Sequence, residues 1–217
     1  MPPFQPPRDW DAVYAASPSH FFGEEPSQIA RSALRFFRMF GGSPEDALAL
    51  DLGSGEGRDT AFLAEAGFHV VARDIAPSGL AKTRALLARR NIPSERVDLA
   101  LGDVRAFDYP PDAYDLALAA NVYQFLPPDE APAHIARLQG ATKPGGLCAV
   151  GVFSPAMTGW GAQIGGFFAS TGDELLAHFP QEAGWLPLDL TEYRHYSPRD
   201  GAMGSWVFAV ARKETTQ

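Results

Sequence analysis

The chain has 217 residues, 46% hydrophobic and 20% charged, with a formal net charge of −8. That length fits one α/β domain with a sizeable core, and the negative surface works against phosphate backbones, which excludes nucleic acid as the main substrate. The one cysteine, Cys148, allows no internal disulfide; no apolar run reaches the ~18 residues that span a membrane, and the opening MPPFQPPRDW has no basic-then-apolar leader, so a cytoplasmic protein is expected.

Pro2, Pro3, Pro6 and Pro7 make the first residues a poor helix, and residues 1–27 read as an N-terminal tail or cap. Within it, Trp10 and Tyr14 stand four apart, on one helical face. Ile29, Ala33, Phe36, Phe37 and Phe40 then recur at helical spacing, with Arg31, Arg35 and Arg38 opposite, until Gly41-Gly42-Ser43-Pro44 ends the helix. From there strands and helices alternate. ALALDL is a strand that runs into a glycine turn, and RDTAFLAEAG is a helix stopped at Gly67. HVVARDI is a strand, and SGLAKTRALLARRN is a helix whose Lys82, Arg84, Arg89 and Arg90 read as a solvated face. VDLALGDV is a strand. YDLALAANV is a strand so apolar that both its faces should be covered. PDEAPAHIARLQGAT is a helix, and GLCAVGVF is a strand with Cys148 as a small core residue.

This rhythm predicts an α/β fold: a doubly wound, mostly parallel sheet with helices on both faces. It breaks after Phe153, where residues 154–172 form a long glycine- and aromatic-rich loop carrying Trp160, Phe167 and Phe168. Loops of that length are usually functional, and an acceptor-side role is expected. DELLAHF is a short helix. WLPLDLTEYRHY and MGSWVFAVARK read as a closing antiparallel pair around SPRDGA. With no repeat and no linker, residues 1–217 read as a single domain.

The stretch LDLGSGEGRD carries the chemistry. A turn between the first strand and its helix lies at the edge where such sheets bind ligands. A dinucleotide site wants G-x-G-x-x-G. Here Gly53, Gly55 and Gly57 alternate, so the third glycine comes early, and Glu56 and Asp59 put negative charge where a pyrophosphate would sit. This suits a ligand with an amine and a positive centre, with Asp51 as acceptor for an ammonium. Asp74 ends the second strand, where an acid can take both ribose hydroxyls. Asp103 ends the third, in reach of an adenine amino group, and Asn121 ends the fourth. Each is also a residue common at caps and turns; together with the glycine turn they outline one ligand.

At these residues the sequence resembles the class I S-adenosylmethionine-dependent methyltransferases: LDLGSGEGRDT as their first motif, ARDI as the ribose-binding acid, GDV as the adenine motif, and KPGG before the fifth strand. The resemblance implies a seven-stranded sheet with the last strand antiparallel, the Rossmann-like methyltransferase fold. It implies S-adenosyl-L-methionine as cofactor, held by Asp51, Gly53, Ser54, Gly55, Gly57 and Asp59 at the methionine end, with Asn121 helping. Asp74 and Ile75 would take the ribose side, and Asp103 and Val104 the adenine. Trp10 and Tyr14 either cover the cofactor or simply pack on the domain. The Arg58-Asp59-Thr60 form and the ending EYRHYSPRDG are similar to the tellurite-resistance and thiopurine-type branch; Tyr196 and the lack of a second Arg in AMGSW depart from its tellurite members. A small, partly apolar organic acceptor is expected, with an inorganic metalloid oxyanion or a nicotinamide-dependent oxidoreductase as alternatives. His195, then His20 and Tyr123, are the candidate bases. No Cys/His cluster has metal-ligand spacing, so no metal is expected.

Overall fold

The computed structural model describes residues 9–156, 168–197 and 202–215, the side chains of 195–197, 202 and 203 excepted. The proline tail, Trp160 and Phe167 of the long loop, and the turn at Pro198–Gly201 lie outside the described residues.

Five parallel strands, β1 (Leu48–Leu52), β2 (His69–Asp74), β3 (Val97–Leu101), β4 (Tyr114–Ala120) and β5 (Thr142–Phe153), are joined by two more, β6 (Trp185–Ser197) and β7 (Ala202–Lys213). The sheet order is β3-β2-β1-β4-β5-β7-β6, with β7 antiparallel to both its neighbours. The seven-stranded sheet with its reversed last strand is as the sequence led us to expect. Order reverses between the paired strands β1 and β4, whose following helices pack on opposite faces of the sheet, so a crevice opens at their carboxyl ends.

Alternation along the strands sorts the side chains into two cores. Ala49, Val70, Leu116, Leu118, Ala149 and Phe208 face one side, where α2 (Gln28–Met39), α3 (Arg58–Ala66) and α4 (Pro77–Arg89) bring Ile29, Phe37, Leu63 and Leu86. Leu50, Leu52, Ala117, Val150 and Val207 face the other, where α5 (Ala131–Ala141) and α6 (Gly172–Leu176) bring Ile135, Leu138 and Leu175. Local signals set the helix ends. Ser27 caps α2 through Ala30 N–H, Gly67 ends α3 in the left-handed region, and Thr171 with Glu174 forms a capping box at α6.

Three details differ from expectation. Phe40, placed on the apolar stripe of α2, falls just past its end and is 43% exposed, with the Arg212 guanidinium 4.7 Å above its ring. The helix expected from Pro128 starts only at Ala131, because the Pro127 carbonyl takes a turn bond from Glu130 N–H first. KPGG is not a turn before β5 but an interruption within it: Thr142 pairs with Tyr114, and the ladder resumes at Leu147 with Leu116. Among the described residues no helix is long and apolar enough to cross a membrane.

Candidate functional site

Asp51, Asp74 and Asn121 end adjacent strands at the crevice, and the glycine turn closes it from above. The turn's shape depends on missing side chains. Gly53 has φ +69°, and a Cβ there would lie 2.6 Å from Val122 Cβ; Gly57 has φ +84°, and its Cβ would lie 2.4 Å from Thr83 Cγ2 of α4. The turn's own donors are already engaged. Gly53 and Ser54 N–H both donate to Arg73 O, Gly57 N–H to Ser54 O, and Gly55 N–H to Asp74 Oδ2 at 2.7 Å. A pyrophosphate needs such N–H groups free, so the turn is unsuited to a dinucleotide.

The carboxyls are buried. Asp51 accepts from Thr60 Oγ1 at 2.6 Å, and Asp74 Oδ1 accepts from Ala76 N–H at 2.9 Å. Burial, with repulsion from Asp59 behind it, pushes the Asp51 carboxyl up to about 7. Burial also raises Asp74, opposed by the N–H groups of Ala76, Gly55 and Ile75. Asp51 therefore favours its protonated form in the folded chain. The stability it contributes is complete below its unfolded value, ~4, and is lost as pH rises through about 7. Between those limits the wild type is expected to lose stability relative to Asp51→Asn; parallel urea-melt free energies for the two chains across that range would refute this. A cation placed beside Asp51 would reverse the sign, so a cationic ligand should bind more tightly as pH rises.

Above the turn sits α1 (Trp10–Ala16). A Cβ on Gly55 would lie 2.9 Å from the Tyr14 hydroxyl, which is held far above its ordinary value by burial and then by Asp74 and Glu56. It stays a neutral donor. From Tyr14 an aromatic wall leads away across the strand ends: Trp10 at 5.5 Å, Phe125 at 5.0 Å from Trp10, and Phe153 at 5.8 Å from Phe125. Phe153, Trp206 and Tyr193 then stand in one row across β5, β7 and β6, with Trp206 and Tyr193 stacked at 5.6 Å and 16°. The Tyr193 hydroxyl lies within hydrogen-bond reach of the Asn121 side chain, and Asn121 is held at φ +61° to present it. Thr60, Tyr193, Phe153 and Trp206 were not anticipated; a strand-face reading of EYRHY would have paired Tyr193 with His195 at period two.

Ile75 remains 56% exposed beside Asp74, and Val104 is buried below it. The Ser54 hydroxyl is buried without a partner. An orphaned hydroxyl, an exposed apolar side chain and two buried acids fit a ligand carrying polar, ribose-like and purine-like parts. Asp103 accepts from Arg105 N–H at 2.9 Å and pairs with its guanidinium at 2.7 Å, which holds the carboxyl below its usual range. Its turn role is thus filled, with capacity left on its oxygens.

Several expectations need correction. Asp59 does not face a ligand: both its oxygens accept from Ser27, at 2.7 Å from N–H and 2.7 Å from Oγ. Glu56 accepts from Phe21 N–H at 2.5 Å and from Lys82 at 2.8 Å. Nor is the basic face of α4 merely solvated. Lys82 also donates to Ser17 O and Ser19 O, and Arg89 and Arg90 hold Glu24, so this face ties down the segment before α2. His20 belongs to that segment: its Nδ1 stands 3.1 Å from Glu24 Oε1 along the flank of α4. Tyr123 is fully buried in the α5-side core, its hydroxyl 3.3 Å from Tyr109 Oη and donating to His134 O, so it cannot serve as a base. His195 lies on β6, paired with Gly204 of β7.

Comparison with known proteins adds three findings. Residues 49–146 match the model of a methyltransferase domain. Two curated relatives align with 45% of the chain: Hemagglutinin 1 of Eikenella corrodens, 38% identical over 97 residues, and carboxy-S-adenosyl-L-methionine synthase of Chromohalobacter salexigens, 35% identical over 101. The alignments span about a third of those relatives' lengths, 31% and 36%. Among solved structures, the 1,6-didemethyltoxoflavin-N1-methyltransferase of Burkholderia thailandensis, determined with 1,6-didemethyltoxoflavin and S-adenosylhomocysteine bound, is 27% identical with a TM-score of 0.62. That likeness covers 86% of this chain and 79% of that one.

Proposed function

We propose, from the premise of an S-adenosylmethionine-dependent methyltransferase domain at residues 49–146, that this protein methylates a small, planar, partly apolar organic acceptor. The observation that carries the reading is the aromatic wall, above all the Trp206–Tyr193 stack at 5.6 Å, which offers flat apolar faces beside the crevice.

Bound S-adenosylmethionine supplies a methyl group on a sulfonium, transferred by in-line displacement. The protein's task is then mainly to position two reactants and exclude water, worth up to roughly 7–11 kcal/mol of the barrier. Asp51 and Asn121 would hold the amino-acid end, Asp74 the ribose hydroxyls, and Ile75, Asp103 and Val104 the adenine. Trp10 and Tyr14 would close the crevice against water. Where the acceptor must lose a proton, His195 is the candidate base.

Within the tellurite- and thiopurine-type branch, these features favour a thiopurine-like, organic acceptor. An oxyanion calls for clustered cations at the acceptor end. Arg194, paired across from Ser205, lies on the opposite face of β6 from Tyr193.

A panel of phenols, heteroaromatic amines, aryl thiols and tellurite, assayed for S-adenosylhomocysteine formation, tests the reading. Turnover of a planar organic member and none of tellurite is expected; the reverse pattern refutes it. With the organic acceptor, His195→Ala should lower turnover by roughly 10²–10⁴ while S-adenosylhomocysteine affinity stays unchanged, and a fully active variant would make His195 a bystander.

A further inference from the structure

β5 ends at Phe153, which pairs with Trp206 of β7, and β6 and β7 run on beyond it as a two-stranded ribbon to Ser197 and Ala202. Gly204 lies in that ribbon, paired with His195 and past the end of β5. Side chains two apart on a strand share a face, so the Trp206 indole stands on the side to which a residue 204 side chain would point. The indole uses that room. A Cβ on Gly204 would run into Cη2 and Cζ3 of Trp206, with Cζ2 next at 3.1 Å; its three nearest neighbours all belong to this one ring system. The six-membered ring of the indole therefore lies over Gly204. It reaches past β5 at the carboxyl edge of the sheet, where the crevice opens.

On its other flanks the indole meets Tyr193, nearly parallel at 16° and 5.6 Å, and Phe153, edge-on at 63° and 6.3 Å. Trp206 stays partly exposed. Gly204 is not among the glycines in the left-handed region, so its backbone conformation has no need of glycine. What needs glycine there is the place of the ring.

We propose that Gly204 sets acceptor specificity: it leaves room for the Trp206 indole to lie along β7, and so extends the row of Phe153, Trp206 and Tyr193 into a platform broad enough for a fused two-ring acceptor. The proposal rests on the planar-acceptor reading above and narrows it to fused-ring aromatic compounds. A side chain at 204 would turn the indole off its stack. The ring is a terminal group that rotates about its own χ angles, whereas the backbone beneath it is paired with β6. One aromatic ring can be met by Tyr193 or Phe153 alone; a second, fused ring needs the indole beside them.

Titration calorimetry on the S-adenosylhomocysteine-loaded protein tests it, with 2-naphthol as the two-ring probe and phenol as the one-ring probe. In Gly204→Ala, 2-naphthol affinity should fall about 3- to 12-fold, the worth of one aromatic stack. Phenol should bind as it does to the wild type, and so should S-adenosylhomocysteine, which also reports an intact fold. Trp206→Phe, whose smaller ring stacks on Tyr193 without reaching over Gly204, should show the same selective loss and decides the matter where Gly204→Ala folds poorly. In the Trp206→Phe background, Gly204→Ala should cost nothing more, because no ring is left there to displace. A Gly204→Ala protein that binds 2-naphthol like the wild type overturns the proposal. So does an equal loss for both ring probes, or a loss that persists in full in the Trp206→Phe background; either would make Gly204 a packing residue of the ribbon. A wild type that binds phenol but not 2-naphthol overturns this assignment alone. If it binds neither, the planar-acceptor reading itself falls and takes the assignment with it.

Discussion

Asp74→Ala is expected to abolish measurable S-adenosylhomocysteine binding and to lower the melting temperature sharply. The carboxylate has two tasks. Toward the protein, Oδ2 takes Gly55 N–H at 2.7 Å and Oδ1 takes Ala76 N–H at 2.9 Å, so it holds the glycine turn against the end of β2. Truncation leaves two buried donors unpaired, at about 1–3 kcal/mol each. For a chain of this size each kcal/mol is worth roughly 2–4 °C, so a fall of about 4–24 °C follows. Toward the ligand, the same oxygens keep lone pairs for the ribose hydroxyls; their loss, with the slackened turn, should weaken binding by at least about 100-fold. Calorimetry and thermal melts read the two effects separately. Unchanged affinity in a destabilised variant would remove Asp74 from the ligand site and leave it a scaffold for the turn.

Asp59→Ala should be nearly as damaging, by a different route. Its carboxylate accepts twice from Ser27, and Ser27 Oγ in turn accepts from Ala30 N–H at the start of α2. One acid thereby joins α3 to α2 and anchors the segment that carries α1 and Tyr14. Two hydrogen bonds to a buried charge are worth about 3–6 kcal/mol together. Asp59 also repels Asp51 and contributes to its raised pKa. Below about 7 Asp51 is protonated and the variant bears the whole cost; above it, the variant escapes a repulsion that the wild type suffers. The destabilisation should thus be larger at pH 5 than at pH 8 in urea melts. A cost independent of pH would mean that the two carboxyls do not interact.

These two acids show where a sequence reading holds and where it fails. Asp74 was placed correctly at the end of β2, because strand ends follow from local apolar runs and the helix signals after them. Asp59 and Glu56 stood at the right positions with the wrong partners. A carboxylate beside a glycine turn looks the same in sequence whether it meets a ligand's ammonium or a backbone N–H from Phe21 or Ser27. Tyr123 was misread for a related reason: it sits in a 3-10 turn just past β4, where no periodicity tells whether a side chain turns toward the crevice or into the core.

By itself the sequence determined the α/β alternation, the reversed closing strand, the glycine turn and the acids at the strand ends. All of these rest on local sterics: side-chain period, glycine's access to positive φ, and caps that bind within a few residues. Only the tertiary structure decided which charges are engaged and which are left for a ligand. It spent Glu56, Asp59, Lys82 and Arg89 on the segment before α2, and lined up Phe153, Trp206 and Tyr193 across three strands. Those pairings join residues tens of positions apart, and they exist only once the sheet order brings their elements together.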